Sequence, residues 1–178
     1  MHDISEIEKR LEAGSAPFSP QQLFQRLDEM GIAYRSVSHP PLFTVEQSKE
    51  LRGELPGGHT KNLFLRNKKG SMWLVTCLED REIDLKALGE LLGAGRLSFC
   101  KPDRLMRYLG VIPGAVTPLA VINDKLKQVE FAIDSALLKF DPVNVHPLTN
   151  EMTVAISPLD LLRFLEAVDH PPRILDFS

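Results

Sequence analysis

Apolar positions at Ile4, Ile7 and Leu11 recur at helical spacing on a charged background and predict a short amphipathic helix over residues 3–13. Ala13-Gly14-Ser15-Ala16-Pro17 ends it. A second helix starts at Ser19-Pro20, with Ser19 as cap and Pro20 at the first helical position. Leu23, Phe24 and Leu27 form its apolar face, and Gly31 stops it. Residues 34–37 predict a short strand, broken by His39-Pro40-Pro41. Thr44 caps an expected helix over residues 45–52, and Gly53, Pro56, Gly57 and Gly58 mark a loop. The clearest strand pattern follows. Leu63–Arg66 and Met72–Thr76 flank Asn67-Lys68-Lys69-Gly70-Ser71, which predicts a hairpin.

Beyond the hairpin, Asp84 caps a helix expected to turn Leu85, Leu88, Leu91 and Leu92 inward. Leu97–Cys100 predicts a short strand, and Pro102 opens a helix that ends at Gly110. Residues 129–133, 143–145 and 152–156 predict three more strands. Ser157-Pro158 opens a last helix, with Leu161, Leu162, Phe164, Leu165 and Val168 buried. The segment 169–172 reads as a loose tail. Interspersed helices and strands predict an α/β fold, a single mixed-sheet domain with surrounding helices. The expected organisation is a helical extension over residues 1–18, the domain over 19–170 and a tail over 171–178.

Composition narrows the function only modestly. The chain has 178 residues, 43% hydrophobic and 25% charged, as expected of one globular domain. No apolar run approaches the roughly 20 residues of a membrane span. Met1–Glu6 has neither a basic nor an apolar region of a signal peptide, so the cytoplasm is the expected location. A formal net charge of −3 argues against a bulk nucleic-acid binder. It leaves room for local recognition by three basic clusters: Arg66, Lys68 and Lys69; Lys101, Arg104 and Arg107; Lys125 and Lys127. Convergence of all three on one side would hold a few phosphates. Cys77 and Cys100 read as small core residues, and neither they nor His39 and His59 have metal-ligand spacing. No metal and no cofactor is expected.

Three places carry candidate chemistry. Lys61 sits where a glycine-rich loop meets a strand, as a cation for a phosphate or a developing negative charge, or as a solvated lysine. The loop lacks the Gly-Lys-Ser/Thr of a phosphate loop. Residues 109–118 hold two glycines and two prolines; they suit a row of backbone donors for an oxyanion or carbonyl, or a tight connector. His146 follows a strand and precedes a proline, as base, orienting donor or surface histidine. No nucleophile elbow is present, so nothing supports a covalent mechanism.

These residues resemble a known family. Thr60-Lys61-Asn62-Leu63-Phe64-Leu65-Arg66, Gly114-Ala115-Val116-Thr117-Pro118 and His146-Pro147-Leu148-Thr149-Asn150 with Thr153 are similar to the motifs of the freestanding trans-editing aminoacyl-tRNA deacylases of the ProX/YbaK type. Those are related to the editing insertion domain of bacterial prolyl-tRNA synthetase. His39-Pro40-Pro41, Phe43-Thr44-Val45-Glu46 and Arg96-Leu97-Ser98-Phe99 add to the likeness, which covers about residues 20–170; the first helix lies outside it. The resemblance implies hydrolysis of mischarged Ala-tRNA(Pro), with water attacking the ester and the substrate's 2′-hydroxyl assisting. Lys61, Gly114 and His146 are the implied catalytic set. Asn62, Arg96, Ala115, Pro118 and Asn150 are the implied substrate contacts. Ile32, Phe43 and Val45 are candidates for a size filter that admits alanine and excludes proline. The acceptor end of tRNA(Pro) is the implied partner, with prolyl-tRNA synthetase as a second one. Two other readings stay open: a Cys-tRNA(Pro) deacylase, and a module that binds tRNA or docks on the synthetase without catalysis.

Overall fold

The computed structural model describes residues 9–41 and 55–177. Its helices start where the sequence places caps. In α1 (Pro20–Glu29) the Ser19 hydroxyl accepts from the Gln22 N–H while the Gln22 side chain accepts from the Ser19 N–H. Asp84 caps α2 (Leu85–Leu92), and Ser157 caps α4 (Pro158–Ala167). Pro102 opens α3 (Pro102–Leu109), which Gly110 closes in the left-handed conformation. A Cβ on Gly110 would meet the Asn123 amide at 2.5 Å, so glycine is required there for space as well as for backbone angle.

The strands are β1 (Tyr34–Ser38), β2 (Gly58–Asn67), β3 (Met72–Leu78), β4 (Leu97–Phe99), β5 (Val129–Asp134), β6 (Val143–Val145), β7 (Met152–Ile156) and β8 (Arg173–Leu175). They form one mixed sheet in the order β1-β7-β6-β2-β3-β5-β8, with β4 on β2. β2 and β3 are the expected hairpin, and the Asn67 side chain closes the turn by accepting from the Ser71 N–H at 3.0 Å. β2 runs parallel to β6 at Gly58↔Val143 and His59↔Asn144, then antiparallel to β4 from Leu65 to Asn67. Residues 60–64 lie between these two ladders, so β2 changes neighbours there.

Side chains alternate across the sheet. Phe64, Leu74, Phe131 and Ile133 meet α1, α3 and α4 in the main core. Leu65, Trp73, Val75 and Ala132 meet α2, β4 and Leu175 in a smaller second core. Each fully buried leucine contributes about 1.5–3 kcal/mol, which favours this two-layer packing over local helix propensity.

Several expectations change. Residues 9–13 are not helical; 12–13 form a turn and Leu11 is buried, and the rest of that expected helix lies outside the described residues, as does the helix over 45–52. Leu91 is exposed, because it lies on the outer side of α2. The segment read as a tail is integrated into the fold. His170 is buried and β8 extends the sheet in parallel with β5. The buried 3₁₀ helix Pro118–Asn123 was not anticipated.

Candidate active site

The opening along β2 organises the candidate residues. Lys61 is not at a strand start, as the sequence suggested, because β2 begins at Gly58. Nor do Gly57 and Gly58 face a ligand. A Cβ on Gly57 would meet the Pro142 carbonyl oxygen at 2.2 Å, and one on Gly58 would meet Phe140 at 2.8 Å. The glycines admit this chain's own segment 140–142, which feeds β6 into its parallel pairing.

Alternation sends Lys61 and Asn62 to opposite faces of β2. Asn62 shares the Phe64 face and bridges two elements. Its Nδ2 donates to the Val116 carbonyl at 3.0 Å, and its Oδ1 accepts from the Thr76 hydroxyl at 2.6 Å. The amide thereby fixes the loop over residues 111–117 beside the opening. Within that loop Gly114 takes φ 91°, and the Ala115 N–H is turned inward onto the Ile112 carbonyl at 3.0 Å. Donors for a ligand would come from the loop's remaining N–H groups at Gly114 and Val116.

Lys61 shares the other face with its cross-strand partner Cys77. The Lys61 ammonium donates to the Arg81 carbonyl. Arg81 is itself held by Asp134, with Nε donating to Oδ2 at 2.6 Å and the Phe177 ring 4.7 Å from its guanidinium carbon. Asp134 is fully buried and also accepts from the Leu78 and Ala136 N–H groups. Burial raises the Cys77 thiol to about 11, against the pull of Lys61, so it stays protonated and inert.

The parallel pairing of β2 with β6 ends at His59↔Asn144, and Lys61 and His146 each follow two residues on, which by alternation is the same face of the sheet. His146 Nδ1 lies 2.8 Å from the Met152 carbonyl. A carbonyl only accepts, so Nδ1 carries the proton and Nε2 presents a lone pair. Burial lowers the His146 pKa below its ordinary value, the Met152 contact opposes this, and nearby His39 adds to the lowering. The imidazole is therefore neutral near pH 7. The His39 ring stands 6.2 Å from it, and His39 Nε2 lies 2.8 Å from the Thr153 hydroxyl. Thr153 and Asn144 also wall a cleft of about 680 Å³ on the outer face of β1, β7 and β6.

Other expected residues take different places. Ile32 is 3% exposed and packed in the main core rather than along the opening. Ala115 is likewise fully buried there. Pro118 is buried as the first residue of a 3₁₀ helix. Arg96 lines a separate cleft of about 500 Å³ with Lys86, Glu90 and Leu97, which holds no other candidate residue. Asn150 is buried in the turn after His146. Phe43 and Val45 lie outside the described residues. Arg81, Asp134 and Thr76 escaped sequence reading because their roles depend on strand pairing alone.

The family model for the aminoacyl-tRNA editing domain matches residues 39–164, most of the chain. The chain belongs to the aminoacyl-tRNA editing family. It falls among the trans-editing deacylases of the ProX/YbaK type. A mouse protein, prolyl-tRNA synthetase associated domain-containing protein 1, is 42% identical over 88% of this chain and 95% of its own. The prolyl-tRNA editing protein ProX of Acetoanaerobium sticklandii is 39% identical over 83% of this chain and 90% of its own. A solved structure of a candidate trans-editing enzyme for prolyl-tRNA synthetase aligns with TM-score 0.69 at 21% identity, covering 91% of this chain and 98% of that one. That likeness bears on the fold. None of these names states which amino acid is removed.

Proposed function

We propose that this deacylase hydrolyses alanine from mischarged tRNA(Pro). What supports the reading is the parallel pairing of β2 with β6, which, continued two residues past His59↔Asn144, carries Lys61 and His146 to one face, and the Asn62 amide, which from the other face ties the 111–117 loop to the same stretch of β2. Lys61 meets the phosphate backbone of the terminal nucleotides, exchanging its Arg81 carbonyl contact for a phosphate oxygen. N–H groups of the 111–117 loop hold the ester carbonyl as it gains negative charge. His146 Nε2 accepts from the terminal ribose hydroxyl or the aminoacyl group and orients it. Water attacks the ester carbonyl, assisted by the adjacent 2′-hydroxyl of the substrate, and the C–O bond to the ribose breaks to release alanine. The neutral state of His146 suits an acceptor role.

A proline pocket cannot reject alanine strongly, since each missing methylene is worth only about 1–3 kcal/mol. A second site that admits the smaller residue removes the error. Prolyl-tRNA synthetase is the natural source of the substrate. Cysteine is close to alanine in size and is the competing amino acid within this reading. Single-turnover hydrolysis of Ala-, Cys-, Ser- and Pro-tRNA(Pro) tests it. Fast loss of alanine alone supports the proposal, whereas preference for cysteine or serine reassigns the substrate.

A further inference from the structure

Three charged groups surround one buried thiol. Cys77 is fully buried, and Lys61, Asp134 and Arg81 are the charges that act on it. Lys61 is its cross-strand partner on β2. Asp134 stands on the other side. β5 runs parallel to β3 as far as Thr76↔Ile133, and Cys77 and Asp134 are the next residue of each strand. Lys61 and Asp134 therefore flank Cys77 on one face of the sheet, two strand spacings or roughly 10 Å apart between backbones. The flexible four-carbon stem of a lysine spans much of such a gap.

Lys61 nevertheless forms no ion pair with Asp134. Its ammonium donates to the Arg81 carbonyl, a neutral acceptor. The reason is that Asp134 is already full. An ionised carboxylate offers about four lone-pair sites. Arg81 takes two of them, with Nε donating to Oδ2 at 2.6 Å and a terminal guanidinium nitrogen donating to Oδ1 at 3.4 Å. The Leu78 N–H donates to Oδ2 at 3.2 Å and the Ala136 N–H to Oδ1 at 3.0 Å. The Phe177 ring, 4.7 Å from the guanidinium carbon, holds Arg81 in this place. Arg81 thus meets both charges: its side chain neutralises Asp134 and its carbonyl receives Lys61.

The two acceptors differ in what they allow. A neutral carbonyl gives up an ammonium to a phosphate oxygen, because the charged acceptor makes the stronger hydrogen bond. A buried carboxylate holds its partner, because losing it strands a charge away from water.

We infer that Arg81 is a positioning residue for Lys61: its guanidinium saturates Asp134, which keeps the Lys61 ammonium off that carboxylate and available to a phosphate of the substrate. This rests on the deacylase reading above and on the role it gives Lys61. Without the guanidinium, Asp134 is left buried with two open acceptor sites, and Lys61 swings onto it.

The test removes the guanidinium and then returns it. Arg81→Ala, checked for a cooperative melting curve, loses about 100-fold in single-turnover hydrolysis of Ala-tRNA(Pro). Added methylguanidinium refills the place between Asp134 and Phe177 and raises that rate severalfold, with no effect on wild type. In a Lys61→Ala background, Arg81→Ala costs nothing further. A readout independent of hydrolysis is labelling of Lys61 by an amine-reactive ester, followed by peptide mass spectrometry. It slows severalfold in Arg81→Ala and recovers with methylguanidinium, because an ammonium paired with a carboxylate releases its proton less readily. A folded Arg81→Ala variant with wild-type hydrolysis overturns the inference. So does a loss that methylguanidinium leaves in place while Lys61 labelling is unchanged, which makes the role of Arg81 structural. A further loss in the Lys61→Ala background overturns it as well. If wild type hydrolyses no aminoacyl-tRNA(Pro) yet the labelling shifts as stated, Arg81 governs Lys61 as inferred and the deacylase reading fails.

Discussion

Replacing Asn62 with alanine tests how the sheet holds the loop. The side chain makes two hydrogen bonds, to the Val116 carbonyl at 3.0 Å and from the Thr76 hydroxyl at 2.6 Å. Each contributes about 1 kcal/mol net. Thr76 is fully buried, so its hydroxyl loses its partner with no access to water, at about 1–3 kcal/mol. With the Thr76 bond counted by its orphaned hydroxyl and the Val116 bond at about 1 kcal/mol, the total is about 2–4 kcal/mol. A domain of this size shifts by about 2–4 °C per kcal/mol, so the melting temperature should fall by about 9 °C while the protein stays folded. Asn62→Asp separates the two bonds. It still accepts from Thr76 but sets a carboxylate oxygen against the Val116 carbonyl, so the loop should be displaced further than in the alanine variant. A displacement near 1 Å at a reacting centre costs about 100-fold in rate. Differential scanning fluorimetry and single-turnover deacylation read the two effects. A melting temperature within about 1 °C of wild type, or an Asn62→Asp variant with full activity, would refute the claim that this amide fixes the loop.

Three other perturbations probe the site and its support. Burial lowers the His146 pKa, so the deacylation rate should stay level as pH falls through about 6.5 and decline only below it; a midpoint at or above 6.5 in a pH–rate profile contradicts the neutral, buried imidazole. Burial opposes the charge on His170, but its hydrogen bonds to Asp124 and the Val168 carbonyl outweigh that and raise its pKa. That stabilisation is complete below about 6.5, the unfolded value, and is lost as pH rises through the folded one. His170→Gln should therefore cost about 2–4 kcal/mol near pH 6 and less at pH 9 in urea titrations; a pH-independent difference argues against a charged pair. Asp134→Ala removes the anchor of Arg81 and should cost about 3–5 kcal/mol; in any folded fraction, deacylation should drop as the Lys61 acceptor moves, and wild-type specific activity there would uncouple the two.

Local signals mark the starts of the four described helices. Ser19-Pro20, Asp84, Pro102 with Gly110, and Ser157-Pro158 each act within a few residues of the chain, so their effect is visible without tertiary contacts. The hairpin was legible for the same reason. The start of β2 was not. Gly57 and Gly58 look like a loop until segment 140–142 arrives against them from 80 residues away. β8 was missed because three residues after two prolines show no period, and its place comes from pairing with β5. In the site, Lys61, Asn62 and His146 stood out as chemically capable residues, but sequence alone could not say that Lys61 and Asn62 face opposite ways. Ile32 and Ala115 show the converse: an apolar residue near a motif is more readily core than pocket, and both are core here.

The most direct test of the account is single-turnover hydrolysis of Ala-tRNA(Pro) by wild type, Lys61→Ala and His146→Ala, each checked for folding. Wild type should release alanine rapidly, and both variants should lose about 100-fold or more while their melting curves remain cooperative. Wild-type rates in both folded variants would contradict it, by showing that the opening along β2 is not where the ester is cleaved.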